Sequence, residues 1–102
     1  MNKIYSLLYH PEAKIDFYNA RIKYAFISEA LEERFMESIK NALLKLQNNP
    51  TFFSVRYENV RVIHPLKFPY NIHFYIENNI VVVTAIIHNK RNPLIAQLRK
   101  KD

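Results

Sequence analysis

The 102-residue chain contains no glycine and no cysteine. Without cysteine there can be no disulfide, no thiolate metal site and no thiol nucleophile, which suits a reducing cytoplasm. Without glycine there can be no glycine-rich phosphate loop, and the tight turns fall to Asn and Pro. The longest apolar run, residues 80–87, has Thr84 inside it and is far too short to span a bilayer as a helix. Met1-Asn2-Lys3-Ile4-Tyr5 offers neither the apolar stretch nor the small-residue cleavage site of a signal peptide. These absences lead us to expect a soluble, cytoplasmic protein with no membrane contact.

What is present is an ordinary globular composition, 49% hydrophobic and 24% charged, in a chain long enough for one domain spanning residues 1–102. Seven phenylalanines and seven tyrosines supply enough apolar area for a real core at this size. The net charge of +6 is uneven. Residues 1–50 hold seven Lys/Arg against six Asp/Glu, whereas residues 51–102 hold eight against three. Part of that excess is the basic end Arg99-Lys100-Lys101. A one-sided basic surface favours an anionic partner, either nucleic acid or an acidic protein segment.

Ile4 to Tyr9 is a short β-prone run that Pro11 ends. Pro11 suits the first turn of a helix, with Glu12 and Asp16 near its positive end. Ile15, Tyr18, Ile22 and Ala25 then recur at helical spacing, and this stripe is expected to face the core. The pattern resets at Phe26-Ile27-Ser28, where Ser28 is a suitable N-cap. A second stripe, Leu31, Phe35, Ile39, Leu43 and Leu46, stops at Gln47-Asn48-Asn49-Pro50, so the two segments describe a helical hairpin. Residues 55–62 alternate as a strand with an interruption near Asn59, and residues 64–69 form a proline-bracketed loop.

Residues 68–93 carry the strongest signal. Tyr70, Ile72, Phe74 and Ile76 alternate with Asn71, His73, Tyr75 and Glu77, the period of a strand with one dry and one wet face. Asn78-Asn79 can supply the positive φ of a two-residue hairpin turn. The return run, residues 80–87, is nearly all apolar and β-branched, as in a strand covered on both faces. It exits into His88, Lys90 and Arg91, and the tail from Leu94 to Arg99 suits one or two helical turns. The order of elements argues for an α+β fold, a roughly four-stranded antiparallel sheet with the helical hairpin on one face. Ile72, Phe74 and Ile76 are then expected to share a buried face with Leu31, Phe35 and Ile39.

Arg61, His64 and Lys67, with His73, are placed by this pattern on or near the open sheet face. The histidines are too scattered for a metal site, and no carboxylate lies at ligand spacing. Tyr57, Tyr70 and Tyr75 can stack on bases, although alternating tyrosines also serve as half-buried sheet residues.

Four segments in this order resemble the RelE/ParE superfamily of bacterial type II toxin–antitoxin toxins, its ParE-like branch above all. They are Tyr9-His10-Pro11-Glu12-Ala13; Ala30-Leu31-Glu32-Glu33-Arg34-Phe35 with the Asn49-Pro50 exit; Phe68-Pro69-Tyr70-Asn71-Ile72-His73-Phe74; and the His-x-x-Arg-x-Pro exit His88-Asn89-Lys90-Arg91-Asn92-Pro93. Together they span roughly residues 4–95.

The resemblance implies two modes of action. RelE-like members cut ribosome-bound mRNA with clustered Lys and Arg and a Tyr, His or Glu. In that case Arg91 would steady the phosphate while Lys67 and His88 or His64 completed the site. ParE-like members bind DNA gyrase, with no established catalytic residues. Here the stretch Asn92 to Leu98 has neither the Tyr nor the His that the nucleases carry after the last strand, which favours target binding over cleavage. A member that binds its antitoxin without arresting growth is a third alternative. The resemblance calls for no cofactor and implies an antitoxin whose carboxylates would meet Arg56, Arg61, Lys67, Lys90 and Arg91. Homo-oligomerisation is left open.

Overall fold

The computed structural model describes residues 5–99. Residues 1–4, which include the start of the first β-prone run at Ile4, and the basic end Lys100-Lys101 lie outside them. The elements are β1 (Ser6–Tyr9), α1 (Pro11–Ala25), α2 (Glu29–Asn48), a 3-10 turn (Pro50–Phe52), β2 (Val55–Tyr57), β3 (Val60–Ile63), β4 (Tyr70–Glu77), β5 (Ile80–His88) and α3 (Leu94–Arg99). Among the described residues no helix is long and apolar enough to cross a membrane.

The fold is α+β, as expected, but the sheet has five strands in the order β1-β5-β4-β3-β2 and is mixed. Residues 55–62 divide into β2 and β3 at Glu58-Asn59, where Glu58 takes a positive φ of 47°. The segment 6–9 joins the sheet beside β5, parallel to it, because the helical hairpin carries the chain across the sheet before it returns. The β4–β5 hairpin is the antiparallel centre, closed by Asn78 at φ 58°. Among the described residues three, Glu58, Lys67 and Asn78, therefore occupy left-handed positions without being glycine.

Ser28 caps α2 by accepting from the Leu31 amide at 3.0 Å, and His10 caps α1 through Nδ1, accepting from the Glu12 amide at 3.1 Å. The core lies between helices and sheet. Phe35, Ile39 and Leu46 of α2 pack with Ile72, Phe74, Val81 and Val83, and the rings of Phe17, Tyr24, Phe68 and Tyr70 surround Phe35. Ile76 is half-buried against this core, whereas Leu31, also half-buried, is not part of it.

The stripe expected to bury α1 is a correction. Ile15, Tyr18 and Ile22 are exposed, and Ala13, Asp16 and Ala20 form the buried face, with Phe17 and Tyr24 beside it. Small alanines allow α1 to approach the sheet closely, and a carboxylate has a specific task there. β5 outruns β1 at Val83, leaving backbone groups of residues 84–88 without a strand neighbour on that side. Asp16 Oδ2 accepts from the Ile86 amide at 3.0 Å, while Arg99 of α3 donates to the Thr84 carbonyl at 3.1 Å and to Asp16 at 2.5 Å. An ion pair thus completes the sheet edge. It also draws α3 onto the sheet, where Ala96 packs on Ala85 and Ile87.

Candidate partner-binding groove

Helix α2 presents a second, polar stripe beside its buried one. Arg34, Ser38, Asn41 and Lys45 recur at spacings of four, three and four, so they share one line along the helix. Facing them is the loop after β3. Ser38 Oγ donates to the Leu66 carbonyl at 2.6 Å and pins the loop to the helix. Lys67 then turns through φ 72°. Between helix and loop lies a groove of about 480 Å³ with Leu31, Ala42, Ile63 and Phe68 among its apolar lining. It adjoins a second hollow lined by Phe52, Phe53, Val62 and Arg56, the two sharing Lys45, Ile63 and His64.

Arg34, Lys45, Lys67 and Arg56 line this trough against the single carboxylate of Glu37. Among the described residues none of the four cations is in an ion pair. His64 joins the trough to the open sheet face. Its Nδ1 contacts Asn71 Oδ1, and its Nε2 lies 3.4 Å from Arg56 Nη2. An imidazole with its proton on Nδ1 satisfies both, donating to the amide oxygen and accepting from the guanidinium.

The remaining expected site residues are elsewhere. Arg61 donates to the carbonyls of Phe53 at 2.6 Å and Thr51 at 3.3 Å, and so anchors the 3-10 turn. His88 and Arg91 line a separate hollow of about 100 Å³ beside α1, with Asp16, Lys23 and Tyr70. There His88 Nδ1 accepts from the Lys90 amide at 3.1 Å, and its ring meets Tyr70 edge-on at 5.2 Å. Burial and the nearby Tyr24 raise the Tyr70 pKa, and Arg91 opposes them. Lys90 and Arg91 are exposed.

On the open face, His73 is buried where the alternation of β4 implied a wet position. Its Nδ1 lies 3.0 Å from the Tyr57 hydroxyl, and Thr84 Oγ1 donates to its carbonyl at 3.3 Å. Burial, reinforced by electrostatic interaction with His64, Arg99 and Arg56 and opposed by Asp16, lowers the His73 pKa to about 4. Burial and Glu58 raise that of Tyr57 to about 12. At neutral pH, then, a neutral phenol and a neutral imidazole share one hydrogen bond. The pair is a satisfied polar contact in the sheet.

Of the expected residues the structure gathers Arg56, His64 and Lys67, and keeps Arg91, Lys90 and His88 apart from them. Arg34 and Lys45 are additions. Their signal in the sequence is a polar line at helical spacing beside the apolar stripe of α2.

A scan against family models and a search of curated proteins return no match to this sequence. The fold does have solved counterparts. A chain of the chromosomal ParDE TA system from P. aeruginosa superposes with a TM-score of 0.71 at 17% identity, covering 83% of this chain and 96% of that one. The likeness shows that the two chains share a fold, which in this chain is helices packed against a five-stranded mixed sheet.

Proposed function

We propose that the chain is the toxin of a type II toxin–antitoxin module and that it arrests growth by binding an essential target, DNA gyrase, instead of cutting RNA. The observation that carries the toxin reading is the fold shared along nearly the whole of a chain from a ParDE TA system. The antitoxin follows from the same kinship, and the trough beside α2 suits it. An apolar lining rimmed by Arg34, Lys45, Lys67 and Arg56 favours an acidic peptide with apolar anchors.

The preference for binding over cleavage rests on where the nuclease candidates lie. The nuclease reading requires Arg91, Lys67 and a histidine to converge on one phosphate. Arg91 and His88 line one hollow, Lys67 and His64 another. Packing of α3 on Ala85 and Ile87 further narrows the open sheet face available to RNA. Gyrase as the target rests on the ParE-like motifs of the sequence.

Expression of the chain alone separates the readings. Gyrase binding predicts induction of the DNA-damage response, altered plasmid supercoiling and unchanged mRNA ends. Discrete mRNA ends on translating ribosomes, abolished by Arg91→Ala, would instead establish cleavage and overturn the proposal.

A further inference from the structure

Ile15, Tyr18, Ile22 and Phe26 lie on the side of α1 and its C-cap opposite the buried Ala13 and Ala20, with exposures of 50%, 59%, 39% and 88%. Their spacings of three, four and four keep them on one line along the helix. Ile27, 68% exposed, extends the line into the turn before α2. At these exposures the five side chains leave roughly 600 Å² open, the upper end of what a solvated monomer leaves in one apolar patch. A standard protein interface covers about 800 Å² per partner, so the seam with its rim of Lys14, Asn19 and Lys23 is of that size.

The charges around the seam decide what covers it. It lies within residues 1–50, which hold seven Lys/Arg against six Asp/Glu, so two copies meeting here bring almost no net charge to the contact. The basic trough is kept clear of it, beyond α2 and against the loop after β3. Among the described residues Lys14, Lys23 and Glu29 are in no ion pair. The seam therefore has free charge of both signs at its edge, cations along α1 and a carboxylate just past its C-terminal end. An acidic partner would satisfy the lysines but meet Glu29 unfavourably. Two copies packed with α1 parallel would set Lys14 beside Lys14. Packed antiparallel about a two-fold axis near Tyr18 and Ile22, each Lys14 reaches the Phe26 end of the other copy, where Glu29 and the carbonyl end of the helix both favour a cation. The same axis sets Tyr18 against Ile22 of the second copy and Ile15 near its Phe26.

We propose that the chain forms a two-fold homodimer through the outer face of α1, with Ile15, Tyr18, Ile22 and Phe26 at its centre and a Lys14–Glu29 pair at each end. The dimer does not depend on the toxin reading, and it leaves the trough beside α2 open in both copies.

Sedimentation velocity of the full purified chain tests this. At about 100 μM, above the micromolar dissociation constant of even a weak interface of this size, the wild type should sediment as a dimer. Ile22→Glu, and independently Tyr18→Glu, should each weaken self-association by about 100-fold, since two-fold symmetry places each substitution in the contact twice. Lys14→Glu should weaken it by about tenfold, and the exchange variant Lys14→Glu/Glu29→Lys should restore it. Far-ultraviolet circular dichroism of each variant should match that of the wild type, because the substituted side chains are exposed, and this separates dissociation from unfolding. A wild type that stays monomeric at that concentration would overturn the proposal, and its capture through Ile22 by the product of the adjacent reading frame would assign the seam to that protein instead. A dimer indifferent to both Ile22→Glu and Tyr18→Glu would place the contact elsewhere and overturn the proposal as well. An exchange variant as weak as Lys14→Glu would overturn the antiparallel pairing.

Discussion

Replacing Asp16 tests how the sheet is finished. Its side chain is 6% exposed and that of Arg99 11%, so the pair is nearly dry. Asp16→Ala removes three hydrogen bonds together, from the Ile86 amide at 3.0 Å and from Arg99 at 2.5 and 3.2 Å. It strands a guanidinium and an edge amide away from water. Breaking one side of a buried pair costs about 3–5 kcal/mol, a large share of the roughly 5–15 kcal/mol that hold a domain together. For a domain of about 100 residues each kcal/mol is worth roughly 4–8 °C, so the melting temperature should fall by about 12 °C or more. Asp16→Asn should cost less, because its remaining carbonyl oxygen can still accept from Ile86. The double variant Asp16→Leu/Arg99→Met should recover much of the loss, since it leaves no unpaired charge. Urea unfolding followed by circular dichroism measures all three. A cost under about 1 kcal/mol for Asp16→Ala, or strictly additive costs for Asp16→Ala and Arg99→Ala, would refute the edge-capping argument.

Other perturbations follow from the same geometry. His73, with its folded pKa lowered to about 4, is charged in the unfolded chain below about pH 6.5. Its contribution is therefore intact above pH 6.5 and is lost as pH falls from 6.5 towards 4, reaching about 2 kcal/mol at pH 5. Urea midpoints at pH 7 and pH 5 should show that loss in the wild type and a smaller one in His73→Gln. Phe35→Ala, at a fully buried ring packed on Tyr24, Phe68 and Tyr70, should cost about 3–5 kcal/mol by the same assay. Lys67→Gly, at φ 72°, should stabilise the free chain by about 0.5–1 kcal/mol by relieving a left-handed backbone while weakening the acidic partner's binding.

The β4–β5 hairpin was legible because its signals agree: period-two alternation, an Asn-Asn turn and a β-branched return strand. The buried stripe of α2 was legible for a similar reason, with large residues at regular spacing and a serine cap. Helix α1 misled because its regular apolar line faces outward, while its buried side holds two alanines and an aspartate whose partner is 83 residues away. Hydrophobic periodicity reports an apolar face but not what covers it. The parallel pairing of β1 with β5 is a long-range choice that a four-residue run cannot announce. The trough was half legible. Arg56, His64 and Lys67 lie in the basic sheet half where charge directed attention, but Arg34 and Lys45 belong to a helix in the nearly neutral half. Nothing local distinguishes Arg61, committed to two carbonyls, from Arg56, which is left facing the trough.

Whether the chain is a toxin silenced by an acidic partner is decided by a growth measurement. The chain is placed under an inducible promoter, with and without the adjacent reading frame, and viable counts are followed after induction. The chain alone should arrest growth, co-expression should restore it, and the Lys45→Glu/Lys67→Glu variant should escape that rescue. Unimpaired growth on induction of the soluble, folded chain would contradict the toxin assignment.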